Sequence, residues 1–333
     1  MARKPGCERP ALTASVAVLV ENEMVGPGCY RMLLANRHIA RHALPGQFVH
    51  VRLPGPSLDP LLRRPFSVCL TEPGDGTFTL LYQAVGKATR ALAALPRGAE
   101  LDVLGPLGRG FDIPKAHVRS RELAAKRGAN AGAGASPPTI ALVAGGLGVA
   151  PLIMLSHALS RSGLGFAFIV GARSREFLVG LDMVPAIPSE SGPSRIAQPE
   201  AGPGRAGRRL EECAAGRVAG RAVLRVVTED GSAGEQGLVT HVFSEVLASH
   251  NVALAYACGP TEMLREVARI GQAHGVPVQI SLEERMACGL GACLGCAVKA
   301  SQASVEAGRP AYLRVCCDGP VFGSEEVDLD GAT

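Results

Sequence analysis

Three cysteines, Cys288, Cys293 and Cys296, fall within nine positions of the stretch SLEERMACGLGACLGCAV (281–298), among Gly289, Gly291 and Gly295. Cys316 and Cys317 follow in RVCCDGPVF. The C-x4-C-x2-C spacing with a distant further sulfur is that of plant-type 2Fe-2S sites, in which thiolates converge on two irons while backbone N–H groups point at the sulfides. Glycines let those amides turn inward without a Cβ clash. The spacing leaves the fourth ligand open between Cys316 and Cys317. A structural zinc centre competes with this reading, but zinc modules usually arrange their ligands as two tight pairs. Unmetallated thiols are the third reading.

Two more groups of residues suit large cofactors. In LLRRPFSV (61–68), Arg64 is a residue type able to grip a pyrophosphate through several donors, and Ser67, with Pro65 and Phe66 beside it on a strand, can hydrogen-bond the edge of a flavin. Alone the tetrapeptide is a weak signal, since an exposed arginine explains it as well. LYQAVGKATR (81–90) strengthens it, because Gly86 to Thr89 reads as a turn into a helix start that offers amides to phosphate. In ALVAGGLGVAPL (141–152) a strand, a glycine turn and a helix succeed one another. Gly145, Gly146 and Gly148 permit close approach of a dinucleotide, and Pro151 sits where a first helical turn tolerates a missing N–H. This is not G-x-G-x-x-G, and a tight turn without ligand is the plain alternative. YACGP (256–260) ends another strand at the same sheet edge, where Cys258 reads by itself as a small core thiol. His38 and His42 lack a third ligand nearby, and no Ser-His-Asp order or carboxylate pair stands out, so the chemistry is expected from cofactors.

The elements that must carry these residues change character along the chain. Residues 12–111 alternate short β-rich runs with Gly/Pro turns, the rhythm of a small antiparallel barrel. From Ile140, strand alternates with helix, which implies a doubly wound parallel sheet. The expected organisation is a β-barrel domain over 1–113, an α/β nucleotide domain over 114–276, and a small metal-organised domain over 277–333 with too little hydrophobic periodicity for its own core. Two segments rich in Gly, Ala, Pro, Ser and Arg, about 119–138 and 185–209, read as surface insertions, with a basic docking arm as the alternative.

Composition bounds the classes. At 333 residues and 47% apolar, the chain has material for several cores. Its net charge of +4 comes from 34 basic and 30 acidic residues without a basic stripe, and aromatic content is 4% with no Trp, so nucleic-acid binding has little support. The N-terminus shows no uninterrupted apolar stretch before a cleavage site, and the run Ile140–Leu155 is 16 residues punctuated by glycines and Pro151. Ten cysteines, half of them in 288–317, then point to metal or redox use and a cytoplasmic location.

Together the RPFS strand, the GGLGVAP turn and the CGP strand end resemble the ferredoxin-NADP reductase superfamily. SLEERMACGLGACLGCAV with RVCCDGPVF more closely resembles the electron-transfer subunits of class 1B, NAD-dependent dihydroorotate dehydrogenases. The likeness covers roughly residues 12–113, 139–182 and 221–323. It implies FAD held by Arg64, Pro65, Phe66 and Ser67, with Leu81, Tyr82 and Gln83 against flavin and nucleotide and Ala88 and Thr89 near the pyrophosphate. Where such proteins usually have GxGT this chain has Gly86-Lys87-Ala88-Thr89, which asks for a negative φ at Ala88. NAD(H) is implied along Gly145, Gly146, Gly148 and Pro151, with its nicotinamide near Cys258. Cys316 becomes the fourth ligand beside Cys288, Cys293 and Cys296. The resemblance further implies an FMN-containing catalytic subunit as partner in a heterotetramer of two of each. Electrons would pass from that subunit through the 2Fe-2S cluster and FAD to NAD+, in pyrimidine (UMP) biosynthesis. The cluster loop, Gly289 to Gly295, would face the partner. The alternative is a flavin/iron–sulfur reductase subunit of another NAD(P)H-dependent redox complex.

Overall fold

The computed structural model describes residues 13–55, 59–113, 139–185 and 222–331. Both insertions, apart from Pro185, lie outside the described residues. Six antiparallel strands, β1 (Thr13–Gly26), β2 (Cys29–Ala35), β3 (Phe48–Arg52), β4 (Arg64–Glu72), β5 (Thr77–Gln83) and β6 (Glu100–Leu107), close into a barrel in the order β1-β2-β5-β4-β3-β6. Short helices α1 (Arg37–His42) and α2 (Lys87–Ala93) sit in its connections. Alternation along each strand sends one set of side chains inward. Ala17, Leu19, Met32, Leu34, Val49, Val51, Val68, Leu80 and Val103 fill the interior. The opposite face of β3 and β6, with Phe48 and Leu107, belongs instead to the core of the C-terminal half.

The second body is a seven-stranded sheet. It contains β7 (Thr139–Gly145), β8 (Phe166–Ala172), β9 (Ala222–Thr228), β10 (Glu235–Gln236), β11 (Val252–Cys258), β12 (Val278–Ser281) and β15 (Val321–Gly323) in the order β10-β9-β8-β7-β11-β12-β15. All neighbours are parallel except β15, which runs antiparallel to β12. Continuous apolar runs such as TIALVAG and FAFIVGA are covered on both faces, as parallel sheets require. Helix α3 (Val149–Arg161) covers one face, packing with Leu142 and Ala144. Helices α4 (Val239–Ser249) and α5 (Thr261–Ala273) cover the other, packing with Ala141 and Val143. The chain builds outward from β7 to β10, then returns to the far side of β7 with β11. That places a topological switch point between β7 and β11, where open α/β sheets bind ligands at their carboxyl ends.

The cysteine-bearing segment adds only the two-stranded β13 (Ala297–Lys299) and β14 (Tyr312–Arg314) and the one-turn α6 (Gln302–Glu306). It has no separate core: Cys296, Val298, Leu313, Val315 and Cys316 are continuous with the apolar layer under α4 and α5. The segment is flanked by β12 and β15, both strands of the large sheet, and it also touches the barrel, since Arg109 forms an isolated parallel bridge with Pro320. Barrel and sheet meet again where the fully buried Tyr256 ring packs edge-on against Phe111 at 5.3 Å and its hydroxyl donates to the Asp112 carbonyl at 2.7 Å. Among the described residues no helix is long and apolar enough to cross a membrane.

Candidate functional site

The cysteine loop wraps its sulfurs in amides. The N–H groups of Leu290, Gly295 and Cys316 donate to the Sγ atoms of Cys288, Cys293 and Cys296 at 3.4, 3.5 and 3.4 Å. Gly289 and Gly291 adopt φ +70° and +79°, and Leu294 adopts φ +58°, the only described non-glycine residue in that region. Burial opposes ionisation of Cys288, but the Leu290, Cys293 and Ala292 amides and the Cys293 thiol outweigh it and bring its pKa down to about 6. Cys316 behaves oppositely: burial, then the sulfurs of Cys296 and Cys317, pushes its thiol up.

Cys288 and Cys293 are neighbours at one side of the loop, and Cys316 lies beside both Cys296 and Cys317 at the other. No three His, Cys, Asp or Glu side chains among the described residues converge on one metal position. The backbone N–H groups turned onto the sulfurs are the surroundings that the thiolates of a 2Fe-2S cluster take, so Cys288, Cys293, Cys296 and Cys316 would fit one. Cys317 Sγ lies 3.7 Å from Cys316 Sγ and packs against Gly291, whose Cβ, were there one, would fall 2.6 Å from it. Arg314 fastens the loop to the following strand. Its guanidinium donates to the Gly291 carbonyl at 3.2 Å and to Asp318 at 3.0 and 3.1 Å, while Asp318 also accepts the Arg314 amide.

On the barrel, Arg64, Pro65, Phe66 and Ser67 open β4, all half-buried. Arg64 turns back onto the Leu62 and Arg63 carbonyls at 2.8 and 3.2 Å. Phe66 packs edge-on against Tyr82 at 5.6 Å, and Tyr82 stacks on Tyr30 at 5.5 Å, so an aromatic wall adjoins the strand. The Tyr82 hydroxyl donates to Asn22, so this buried ring is fixed by Asn22, Tyr30 and Phe66 together. Leu81 is buried against Gly180, while Gln83 ends β5 half-buried. Gly86 caps α2, and the Thr89 hydroxyl accepts its N–H at 3.0 Å. Ala88 is buried and not in the positive-φ region, so it meets the expected backbone without strain.

At the switch point the glycines divide their work. A Cβ at Gly148 would lie 2.2 Å from the Cys258 carbonyl oxygen, and one at Gly145 would meet Met263 and Pro260. These two bring the turn against the CGP strand end. Gly146, at φ +55°, faces open space and is the member available to a ligand. Pro151 is buried in the first turn of α3, where its missing N–H leaves nothing unpaired. Cys258 is fully buried and burial pushes its thiol up, so it is an inert neutral group beneath the turn. At the end of β9, the Ser232 hydroxyl and amide donate to Asp230 at 2.5 and 2.9 Å and hold its carboxyl below the ordinary range.

Two of these groups, the cysteine loop and the RPFS strand, meet through β3. His50 registers opposite Pro65 of β4, and its ring lies against Gly289, one residue past Cys288. Sequence patterning missed His50, Tyr30 and Arg314. His50 alternates with the core residues Val49 and Val51 and should face water; its complete burial follows from the cysteine segment docking there.

Residues 283–328 match the family described as the iron-sulfur cluster binding domain of dihydroorotate dehydrogenase B. The chain is 33% identical over 304 residues to the dihydroorotate dehydrogenase B (NAD(+)) electron transfer subunit of Desulforamulus reducens, covering 91% of this chain and 94% of the relative. It is 34% identical over 311 residues to the protein of the same name from Bacillus caldolyticus, covering 93% and 97%. The chain belongs to the dihydroorotate dehydrogenase B electron transfer subunit family. Its fold agrees with a solved chain from an NADH-dependent reduced ferredoxin-NADP oxidoreductase studied for flavin-based electron bifurcation, at TM-score 0.69 and 26% identity over 95% of this chain and 91% of that one. A ferredoxin reductase of carbazole 1,9a-dioxygenase shares the fold at TM-score 0.52 and 18% identity, over 81% and 69%. The barrel, parallel sheet and cysteine segment of this chain all fall within the length it shares with these relatives.

Proposed function

We propose that the chain is the electron-transfer subunit of an NAD-dependent dihydroorotate dehydrogenase. It carries electrons from an FMN-bearing catalytic subunit to NAD+ through a 2Fe-2S cluster and FAD, in pyrimidine biosynthesis. The observation that carries the reading is the meeting of the cysteine loop with the RPFS strand across His50, in a chain whose relatives bear this name. When bound, the flavin exchanges electrons singly or in pairs and the iron–sulfur centre singly, which joins one-electron delivery to the hydride of a nicotinamide.

The residues divide the labour as follows. Cys288, Cys293, Cys296 and Cys316 hold the cluster, and the Leu290, Gly295 and Cys316 amides stabilise its sulfurs. Arg64 and Ser67, with Pro65 and Phe66, hold FAD, with Leu81, Tyr82 and Gln83 on the neighbouring strand. Ala88 and Thr89 shape the turn near its pyrophosphate. Gly146 admits NAD(H), and Gly145, Gly148 and Pro151 keep the turn tight against Cys258. Asp230, just past the carboxyl end of β9 and held ionised by Ser232, would suit ribose hydroxyls and repel a 2′-phosphate, which supports NAD over NADP.

The working unit is read as a cytoplasmic heterotetramer of two copies of each subunit, with domains over 1–113, 114–276 and 277–333. Leu290 and Leu294 are 49% and 62% exposed on the cysteine loop, an apolar pair suited to the catalytic subunit. A non-glycine side chain at positive φ costs about 1–2 kcal/mol, and such strain tends to persist where a site needs the residue. The decisive experiment mixes the chain with an FMN catalytic subunit and follows NAD+ reduction. Dihydroorotate-dependent NADH formation supports the assignment. A complex that forms yet reduces NAD+ only with a different donor favours the second reading, a subunit of another redox complex, which the TM-score of 0.69 to the bifurcating oxidoreductase chain supports.

A further inference from the structure

Among the described residues, the buried side-chain nitrogens and oxygens without a partner are Nδ1 and Nε2 of His50 and Oγ of Ser304. His50 is completely buried. A neutral imidazole carries one N–H donor in either tautomer, and leaving a buried donor unpaired is unfavourable. The direction of the ring says where the missing partner belongs. The atoms nearest the absent Gly289 side chain are His50 Cε1, Nδ1 and Nε2, at 2.9, 3.0 and 3.3 Å from an ideal Cβ. The polar edge of the ring therefore confronts the residue next to Cys288. Phe48 flanks it at 5.7 Å, and Arg63 is the charged neighbour that acts on it. Gly289 is required on two counts, its φ of +70° and the closeness of this ring.

We propose that the His50 ring N–H donates a hydrogen bond to an anionic sulfur of the 2Fe-2S cluster, either the Cys288 thiolate or a bridging sulfide. His50 is then a positioning residue that the barrel contributes to the cluster. Donors to cluster sulfurs stabilise the reduced state, whose sulfurs carry more negative charge, and so raise the reduction potential. The inference rests on the cluster reading above, and its test separates the two: a reduced 2Fe-2S EPR signal tests the cluster, and its nitrogen coupling tests His50.

The direct measurement is pulsed EPR on the reduced wild-type chain with ¹⁵N-labelled histidine. A weak ¹⁵N coupling on the cluster signal is expected, and its absence overturns the proposal, as does a coupling confined to the flavin radical. In parallel, the cluster of His50→Leu is expected to be roughly tenfold harder to reduce at fixed potential, a downward shift of about 59 mV for a one-electron couple. His50→Gln, which keeps a donor, is expected to recover at least half of that shift. Unchanged potential in His50→Leu, or the same loss in both variants, overturns the hydrogen bond and leaves packing alone. Should the leucine variant fail to assemble, the wild-type coupling still decides.

Discussion

Gly148 approaches Cys258 so closely that a Cβ would stand 2.2 Å from the Cys258 carbonyl oxygen and 2.7 Å from the Gly259 nitrogen. The turn after β7 and the strand end of β11 are thereby one rigid wall of the nucleotide crevice. Gly148→Ala is expected to destabilise the chain by about 1–3 kcal/mol, because backbone on both sides must give. Gly146→Ala meets no atom within 4 Å and is expected to cost only the strain of φ +55°, about 1 kcal/mol. Urea denaturation ranks the two, and NADH titration is expected to show weakened binding in both.

The fourth cluster ligand is proposed to be Cys316, whose N–H also meets Cys296 Sγ, while Cys317 packs on Gly291. Cys316→Ser is expected to abolish cluster incorporation, and Cys317→Ser to retain it, measured as iron and sulfide per chain. Retention in Cys316→Ser with loss in Cys317→Ser would reverse the assignment.

Cys258 is fully buried with its thiol pushed up, so it is expected to resist alkylation in the folded chain at neutral pH. Iodoacetamide labelling followed by peptide mass spectrometry should leave Cys258 unmodified until denaturant is added. Rapid labelling of Cys258 in native protein would show that the crevice floor opens.

Gly291 is a poor probe of the partner surface, since its Cβ position already collides with Cys317 and nears Arg314. Leu294 is the better one, being 62% exposed. Leu294→Glu is expected to weaken association with the catalytic subunit roughly tenfold or more, read by analytical ultracentrifugation, while NADH-to-dye electron transfer persists. Equal affinity for wild type and variant would remove this loop from the interface.

Much of the fold was legible because its signals are local. The runs TIALVAG, FAFIVGA and VALAYAC became β7, β8 and β11, and APLIMLSHALSR lies within α3. The strand CYRMLLA was not separately anticipated: Arg31 interrupts its apolar run, and only the fold supplies Arg31's partners, Glu23 and Asp182, the second across the barrel–sheet boundary. The dependence of the cysteine segment on the large sheet was equally hidden, since β12 and β15 are short and their pairing spans about forty residues. Cysteine and glycine positions were readable because their spacing is constrained by ligation and φ. His50 was not, because its burial depends on a segment far along the chain.

The most direct test of the account is an anaerobic visible absorption spectrum of the purified, cofactor-loaded chain before and after NADH. The account predicts that flavin and iron–sulfur bands are both present and that both bleach. Bands of both cofactors with an iron–sulfur component that stays oxidised after the flavin has been reduced would contradict the relay.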